Sequence, residues 1–152
     1  MPDAKLAEIL LVEDNPDDAE LALHALNGLG QTVHLVRDGE EALDFLFCRG
    51  PYANRHFDAP PRLVLLDVKL PKVNGLEVLQ KAKEDSRTRA IPIVMLTSSR
   101  EERDLIAGYR NGANSYIQKP IDFLEFRKTA RQLGLYWLNI NVPPPVGTFC
   151  PD

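Results

Sequence analysis

The chain has little that would commit it to disulfides, membranes or nucleic acid. Its 152 residues include two cysteines, Cys48 and Cys150. Neither falls in a zinc or redox spacing, so no disulfide framework or cysteine metal site is expected, and two lone thiols suit a reducing cytoplasm. No apolar stretch approaches the ~20 residues that span a bilayer. The N-terminus lacks the apolar segment and small-residue cleavage site of a signal peptide. No basic block occurs and the formal net charge is −4, which leaves direct nucleic-acid binding without support. Internal repeats and low-complexity tracts are missing as well. These absences point to a soluble cytoplasmic protein. Hydrophobic residues make up 44% and charged residues 26%, so the chain can bury a core. Its length suits one domain with a small appendage.

What the chain does have is a set of short apolar runs ending in polar residues. Ile9-Leu10-Leu11-Val12 leads into Glu13-Asp14, and Leu63-Val64-Leu65-Leu66 into Asp67. Ile93-Val94-Met95-Leu96 leads into Thr97-Ser98, and Tyr116-Ile117-Gln118 into Lys119-Pro120. Continuous rather than alternating apolar character is the mark of parallel strands covered on both faces. A further strand reads Val33 to Val36. Helical patterns separate the runs. Asn15 is a good N-cap, Pro16 suits the first helical position, and Asp17 and Asp18 favour the positive end of the helix dipole. Leu21, Ala22, Ala25, Leu26 and Leu29 form an apolar face that Gly28 and Gly30 bring to a stop. Later helices carry Ala42, Leu43, Phe45 and Leu46; Leu76, Val78, Leu79 and Ala82; a segment near Glu101 to Asn111; and, after Asp122 as N-cap, Phe123, Leu124, Phe126 and Ala130. Five βα units in alternation predict a doubly wound α/β sandwich.

Two segments fall outside this alternation. From Arg49 to Arg62 no periodic pattern survives, and a loop of that length tends to be functional or disordered. From Leu135 to Asp152 the chain is apolar and then proline-rich. Leu138, Ile140 and Val142 alternate with Asn139 and Asn141, and Pro143-Pro144-Pro145 bars a continuing helix. A five-unit domain does not need these residues to close its core. The expected boundaries are therefore 1–134 for the domain and 135–152 for an extension.

The carboxyl ends of parallel strands share one edge of the sheet, where open α/β folds place their sites. Glu13, Asp14 and Asp67 would meet there. Two unit charges 4 Å apart repel by ~4 kcal/mol at an effective dielectric of 20. Lys119 brings one positive charge against three negative ones, so a hard cation such as Mg²⁺, which takes oxygen ligands, is expected at the acids. With the cation present, Asp67 is the natural nucleophile toward phosphorus, and Thr97 and Lys119 would hold the phosphoryl oxygens. Thr97 alone also reads as a helix cap, and Lys119 as a surface lysine.

On these residues the chain resembles the receiver domain of two-component response regulators, from Glu8 to Leu133. The resemblance implies a flavodoxin-like (βα)5 three-layer fold with a parallel five-stranded sheet of order 2-1-3-4-5. It implies Glu13-Asp14 as the acidic pair, Asp67 as phosphoacceptor, Thr97 as hydroxyl switch and Lys119-Pro120 as the lysine-proline pair with a cis bond. It also implies Tyr116 as an aromatic switch and the Lys69 backbone carbonyl as a Mg²⁺ ligand. Glu13 replaces the family's usual aspartate, and Ser98 stands where a small residue, often alanine, is usual. By the same resemblance, Lys69 and Ser99 occupy positions similar to the family's tuning sites for dephosphorylation rate. The long Arg49 to Arg62 loop and the Tyr136-Trp137-Leu138 tail resemble single-domain regulators paired with phytochrome-type histidine kinases. The implied protein is a signalling switch rather than a turnover enzyme, with no separate output domain and with a histidine kinase as partner.

Other readings make distinct demands. A flavodoxin-type electron carrier needs a first loop that cradles phosphate, and Glu13-Asp14 would repel it. A haloacid-dehalogenase-type phosphatase has a second aspartate two positions after its nucleophile, where Lys69 sits here. A degenerate receiver acting as a scaffold would not need the full set of acids, Thr97 and Lys119. The surplus apolar residues of the last helix and tail predict a homodimer surface, the alternative being a tail that docks on its own domain.

Overall fold

The computed structural model describes residues 7–27, 32–97, 102–119, 123–145 and 148. Five parallel strands carry the fold: β1 (Ile9–Val12), β2 (Val33–Val36), β3 (Leu63–Asp67), β4 (Ile93–Thr97) and β5 (Ser115–Gln118). Their order is β2-β1-β3-β4-β5, as the receiver-domain resemblance implies. Helices α1 (Pro16–Asn27), α2 (Gly39–Leu46), α3 (Gly75–Glu84), α4 (Glu102–Arg110) and α5 (Phe123–Leu135) connect and cover them.

Alternate residues of each strand feed two cores. Leu10, Val12, Val64, Leu66, Ile93 and Met95 pack with Ala42, Phe45, Val78 and Leu79 of α2 and α3. Ile9, Leu11, Leu63, Leu65, Val94 and Leu96 pack with Ala22, Ala25 and Leu26 of α1 and with Phe126 and Ala130 of α5. Continuous apolar runs are thus what a sheet buried on both faces demands. Asn15 caps α1 as expected, accepting hydrogen bonds from the amides of Asp17 and Asp18 at 2.9 and 3.1 Å.

The aperiodic loop is more structured than its sequence suggests. Gly50–Tyr52 forms a 3₁₀ turn, and Tyr52 and Arg55 are buried. The Arg55 guanidinium lies 3.7 Å over the Phe45 ring and donates to the carbonyl of Phe45. Tyr52 donates to Glu41 Oε1 at 2.8 Å and, with its single proton so used, accepts from His34 Nε2 at 2.8 Å.

The tail also departs from expectation. The boundary placed at Gly134 falls inside α5, which continues into a π turn over Tyr136–Ile140 closed by a 2.6 Å bond from the Asn141 amide to the Tyr136 carbonyl. Leu138 is buried in the α1–α5 core, so that core does use a residue of the extension. The alternating Leu138, Ile140 and Val142 do not share one buried face: Leu138 faces inward while Ile140 and Val142 are exposed. Beyond the turn, Pro143 and Pro144 reach Pro60, Pro61 and Pro92 and line a cavity of about 130 Å³ with them. Among the described residues no helix is long and apolar enough to cross a membrane.

Candidate phosphoacceptor site

Sheet register assembles the site. Val12 lies opposite Leu66, so the residues that follow them, Glu13 and Asp67, leave β1 and β3 side by side. Thr97 and Gln118 end β4 and β5 opposite one another, and Lys119 follows at once. The turn after Asp67 is held tightly. The Gly75 amide donates to the Val68 carbonyl at 2.8 Å, and a Cβ on Gly75 would lie 2.0 Å from the Asp67 carbonyl oxygen. Gly39 opens α2 against the same turn, where a Cβ would meet the Val73 carbonyl oxygen at 1.8 Å. No side chain fits at either position without moving the backbone that presents Asp67.

Glu13, Asp14 and Asp67 each offer a carboxylate oxygen, and these atoms lie within 4.8 Å of one another. Lys119 Nζ sits among the acids, 2.5 Å from Glu13 Oε2, 2.9 Å from Asp18 Oδ2 and 3.1 Å from Asp67 Oδ2. The side chains of Lys119 and Asp67 are 9% exposed and that of Glu13 is 2% exposed, so water screens little of the charge. Burial, with the Asp67 charge adding, pushes the Glu13 carboxyl up to about 7 against the pull of Lys119. Burial works to lower Lys119 as well, but hydrogen bonds to Glu13 and Asp18 and the charge of Asp67 outweigh it and hold the ammonium above its ordinary value.

One lysine thus serves three acids while a fourth, Asp14, stands exposed beside them. An all-oxygen donor set left with excess negative charge fits a small divalent cation. The Lys69 amide donates to Asp67 Oδ1 at 3.3 Å, which brings the Lys69 backbone to the same edge.

A family model described as "Response regulator receiver domain" matches residues 9–131. The chain belongs to the response regulator receiver domain family. At 44% identity over 138 residues, covering 90% of this receiver and 86% of its relative, it is similar to the probable methanogenesis regulatory protein FilR2 of Methanothrix harundinacea. Among solved structures it is similar to the phosphorylated cyanobacterial phytochrome response regulator RcpA, with a TM-score of 0.84 and 37% identity over 90% of this chain and 96% of that one. It is likewise similar to the bacteriophytochrome response regulator AtBRR, with a TM-score of 0.70 and 50% identity over 93% of this chain and all of that one (100%).

Of the residues singled out in the sequence, the receiver brings Glu13, Asp14, Asp67 and Lys119 together. Thr97 lies at the end of β4, but its side chain is outside the described residues, as are Ser98, Ser99, Pro120 and with it the Lys119–Pro120 bond. Tyr116 packs beside Gly108 of α4, where a Cβ on the glycine would touch the ring at 3.4 Å, and against the core that holds Met95. Asp18 was the residue that sequence reasoning left out. It reads as a helix-dipole acid, yet it reaches Lys119. The available signal was its place in the first turn of a helix that starts directly at a strand-end site.

Proposed function

We propose that this receiver accepts a phosphoryl group on Asp67 from the phosphohistidine of a sensor kinase and signals through partner binding. The observation that carries the reading is Lys119 Nζ lying 3.1 Å from Asp67 Oδ2 inside a cluster whose acids outnumber it. Glu13, Asp14 and Asp67, with the Lys69 carbonyl, would hold Mg²⁺, which supplies charge neutralisation at the acids and at the phosphoryl oxygens. The chain does the rest. An Asp67 carboxylate oxygen attacks phosphorus in line; its O–P bond forms as the N–P bond to the kinase histidine breaks and the imidazole departs. Lys119 donates to one phosphoryl oxygen, and the Thr97 hydroxyl to another. Tyr116 follows Thr97 by turning inward, so that phosphorylation shifts an existing equilibrium on the α4–β5 side rather than building a new fold. The same residues assist hydrolysis of the acyl phosphate, and the protein works as a switch.

Similarity to RcpA and AtBRR, both phytochrome-type regulators, supports a phytochrome-type histidine kinase as the phosphodonor. Phosphotransfer tests the reading: such a kinase, carrying labelled phosphohistidine, passes its label to wild type and leaves Asp67→Asn unlabelled. Equal labelling of Asp67→Asn overturns Asp67 as acceptor.

The last helix and tail serve as a homodimer surface in this reading. Leu124, Leu135, Tyr136, Ile140 and Val142 are exposed along α5 and the segment after it, apolar side chains that a second copy would cover. Because Leu138 belongs to the core, the test leaves it in place. Replacing Leu124, Ile140 and Val142 by serine converts a sedimenting dimer to monomer, and unchanged sedimentation overturns the dimer.

A further inference from the structure

The site as described uses Glu13, Asp14, Asp67 and Lys119 and assigns nothing to Asp18. Yet Asp18 Oδ2 is 2.9 Å from Lys119 Nζ, as close a partner as Asp67. The three carboxylates on this ammonium are not equivalent. Glu13 and Asp67 belong to the cluster of oxygens within 4.8 Å that can take a cation; Asp18 does not. Asp18 comes from the first turn of α1, where its amide is bound by Asn15 Oδ1 at 3.1 Å. Its side chain is 36% exposed, against 2% for Glu13 and 9% for Asp67.

An ammonium has three donors, and here each has a carboxylate acceptor. When Glu13 and Asp67 turn to a cation, Lys119 loses two of its three acceptors. At 9% exposure it finds little water to replace them. Asp18 is the acceptor that remains.

We propose that Asp18 is a positioning residue for Lys119: it retains the ammonium while Glu13 and Asp67 take up the cation, and so keeps Lys119 placed for the phosphoryl group arriving on Asp67. The inference rests on the phosphoacceptor reading of the site. It has a consequence that does not need a phosphoryl group. Without Asp18 the ammonium falls back on Glu13 and Asp67 and competes with the cation for them. A merely distant negative charge would instead attract the cation to the same extent whether Lys119 were present or not.

A double-mutant cycle separates the two roles. Binding of Mg²⁺ alone is measured by calorimetry for wild type, Asp18→Asn, Lys119→Met and the double variant. Asp18→Asn weakens Mg²⁺ binding about fivefold in the wild-type background, the scale of a half-exposed ion pair, and less than about twofold in the Lys119→Met background. In Mg²⁺-saturated, ¹⁵N-lysine-labelled protein, the Lys119 Nζ resonance persists in wild type and is lost in Asp18→Asn. Equal weakening in both backgrounds, no weakening in either, or an Nζ resonance indifferent to Asp18→Asn overturns the proposal. Labelling of Asp67 by a small acyl phosphate is followed on the same wild-type preparation. Wild type that neither binds Mg²⁺ nor takes the label defeats the phosphoacceptor reading, and the proposal with it. Wild type that does both, with no coupling between Asp18 and Lys119, defeats this proposal alone.

Discussion

At the carboxyl edge of the sheet, Glu13 and Asp67 are buried around the Lys119 ammonium, and negative charge is left over. Under the loop between α2 and β3, Arg55 is equally buried, but it lies across the Phe45 ring and donates to the Phe45 and Ala59 carbonyls. Beside it a hydrogen-bond chain runs from His34 through Tyr52 to Glu41. Both regions take ionisable groups out of water, at a cost that must be met by partners. The loop meets most of it internally, with an aromatic face and carbonyl oxygens, and leaves only the buried Arg55 Nε without a hydrogen-bond partner on that side chain. The sheet edge does not, since several carboxylates share one ammonium. Burial of charge alone therefore does not separate the two regions; what does is several carboxylates gathered around one ammonium at a strand edge, an excess that a divalent cation would neutralise.

Removing the loop's cation gives the largest effect. Arg55→Ala leaves carbonyls without their donor and a void beside Phe45, and it lowers stability by about 4 kcal/mol in denaturant unfolding. Mg²⁺ affinity stays unchanged; a matching loss of Mg²⁺ binding would show that the two regions are one system. Removing the cation of the sheet edge acts differently. Lys119→Met lowers stability by about 2 kcal/mol in the presence of a chelator, less than for Arg55 because Glu13 can take up a proton instead. Millimolar Mg²⁺ recovers most of that loss, and Mg²⁺ binds about tenfold more tightly once its competitor is gone. Weaker Mg²⁺ binding in Lys119→Met would mean that the lysine supports the cation rather than opposing it.

The effects of pH on the two regions run in opposite directions. Between pH 4.5 and about 7 the folded chain keeps a proton on Glu13 that the unfolded chain has released. In chelator, this group's contribution to stability therefore declines as pH rises across that window, and Glu13→Gln removes the decline. Burial pulls His34 below its ordinary value of 6.5, outweighing the Glu41 charge beside it. As pH falls below about 6.5 the unfolded chain binds a proton that the folded His34 resists, so stability declines toward acid, and His34→Gln removes that slope. Unfolding midpoints across pH for the two variants check both signs. If the slopes share one sign, the contrast between the regions fails.

The legible parts of this receiver were those where local pattern and tertiary role coincide. Strands buried on both faces write themselves as continuous apolar runs, and their parallel arrangement brings Glu13, Asp67 and Lys119 to one edge, so fold and cluster could both be read. Asp18 could not, because its place in the first helical turn already had a sufficient local explanation. Arg55 and Tyr52 stand in an aperiodic loop, and their burial depends on Phe45 and Glu41 from another element. Leu138 enters the core through the π turn after α5, which sets it inward while Ile140 stays exposed, and no local pattern in the sequence reports that turn.

The most direct measurement is the intact mass of the protein after exposure to a small acyl phosphate and Mg²⁺. One phosphoryl group is added to wild type and maps to Asp67, and none is added to Asp67→Asn or to wild type in chelator. An adduct of equal yield on Asp67→Asn, or no adduct on wild type, would rule out Asp67 as the phosphoacceptor.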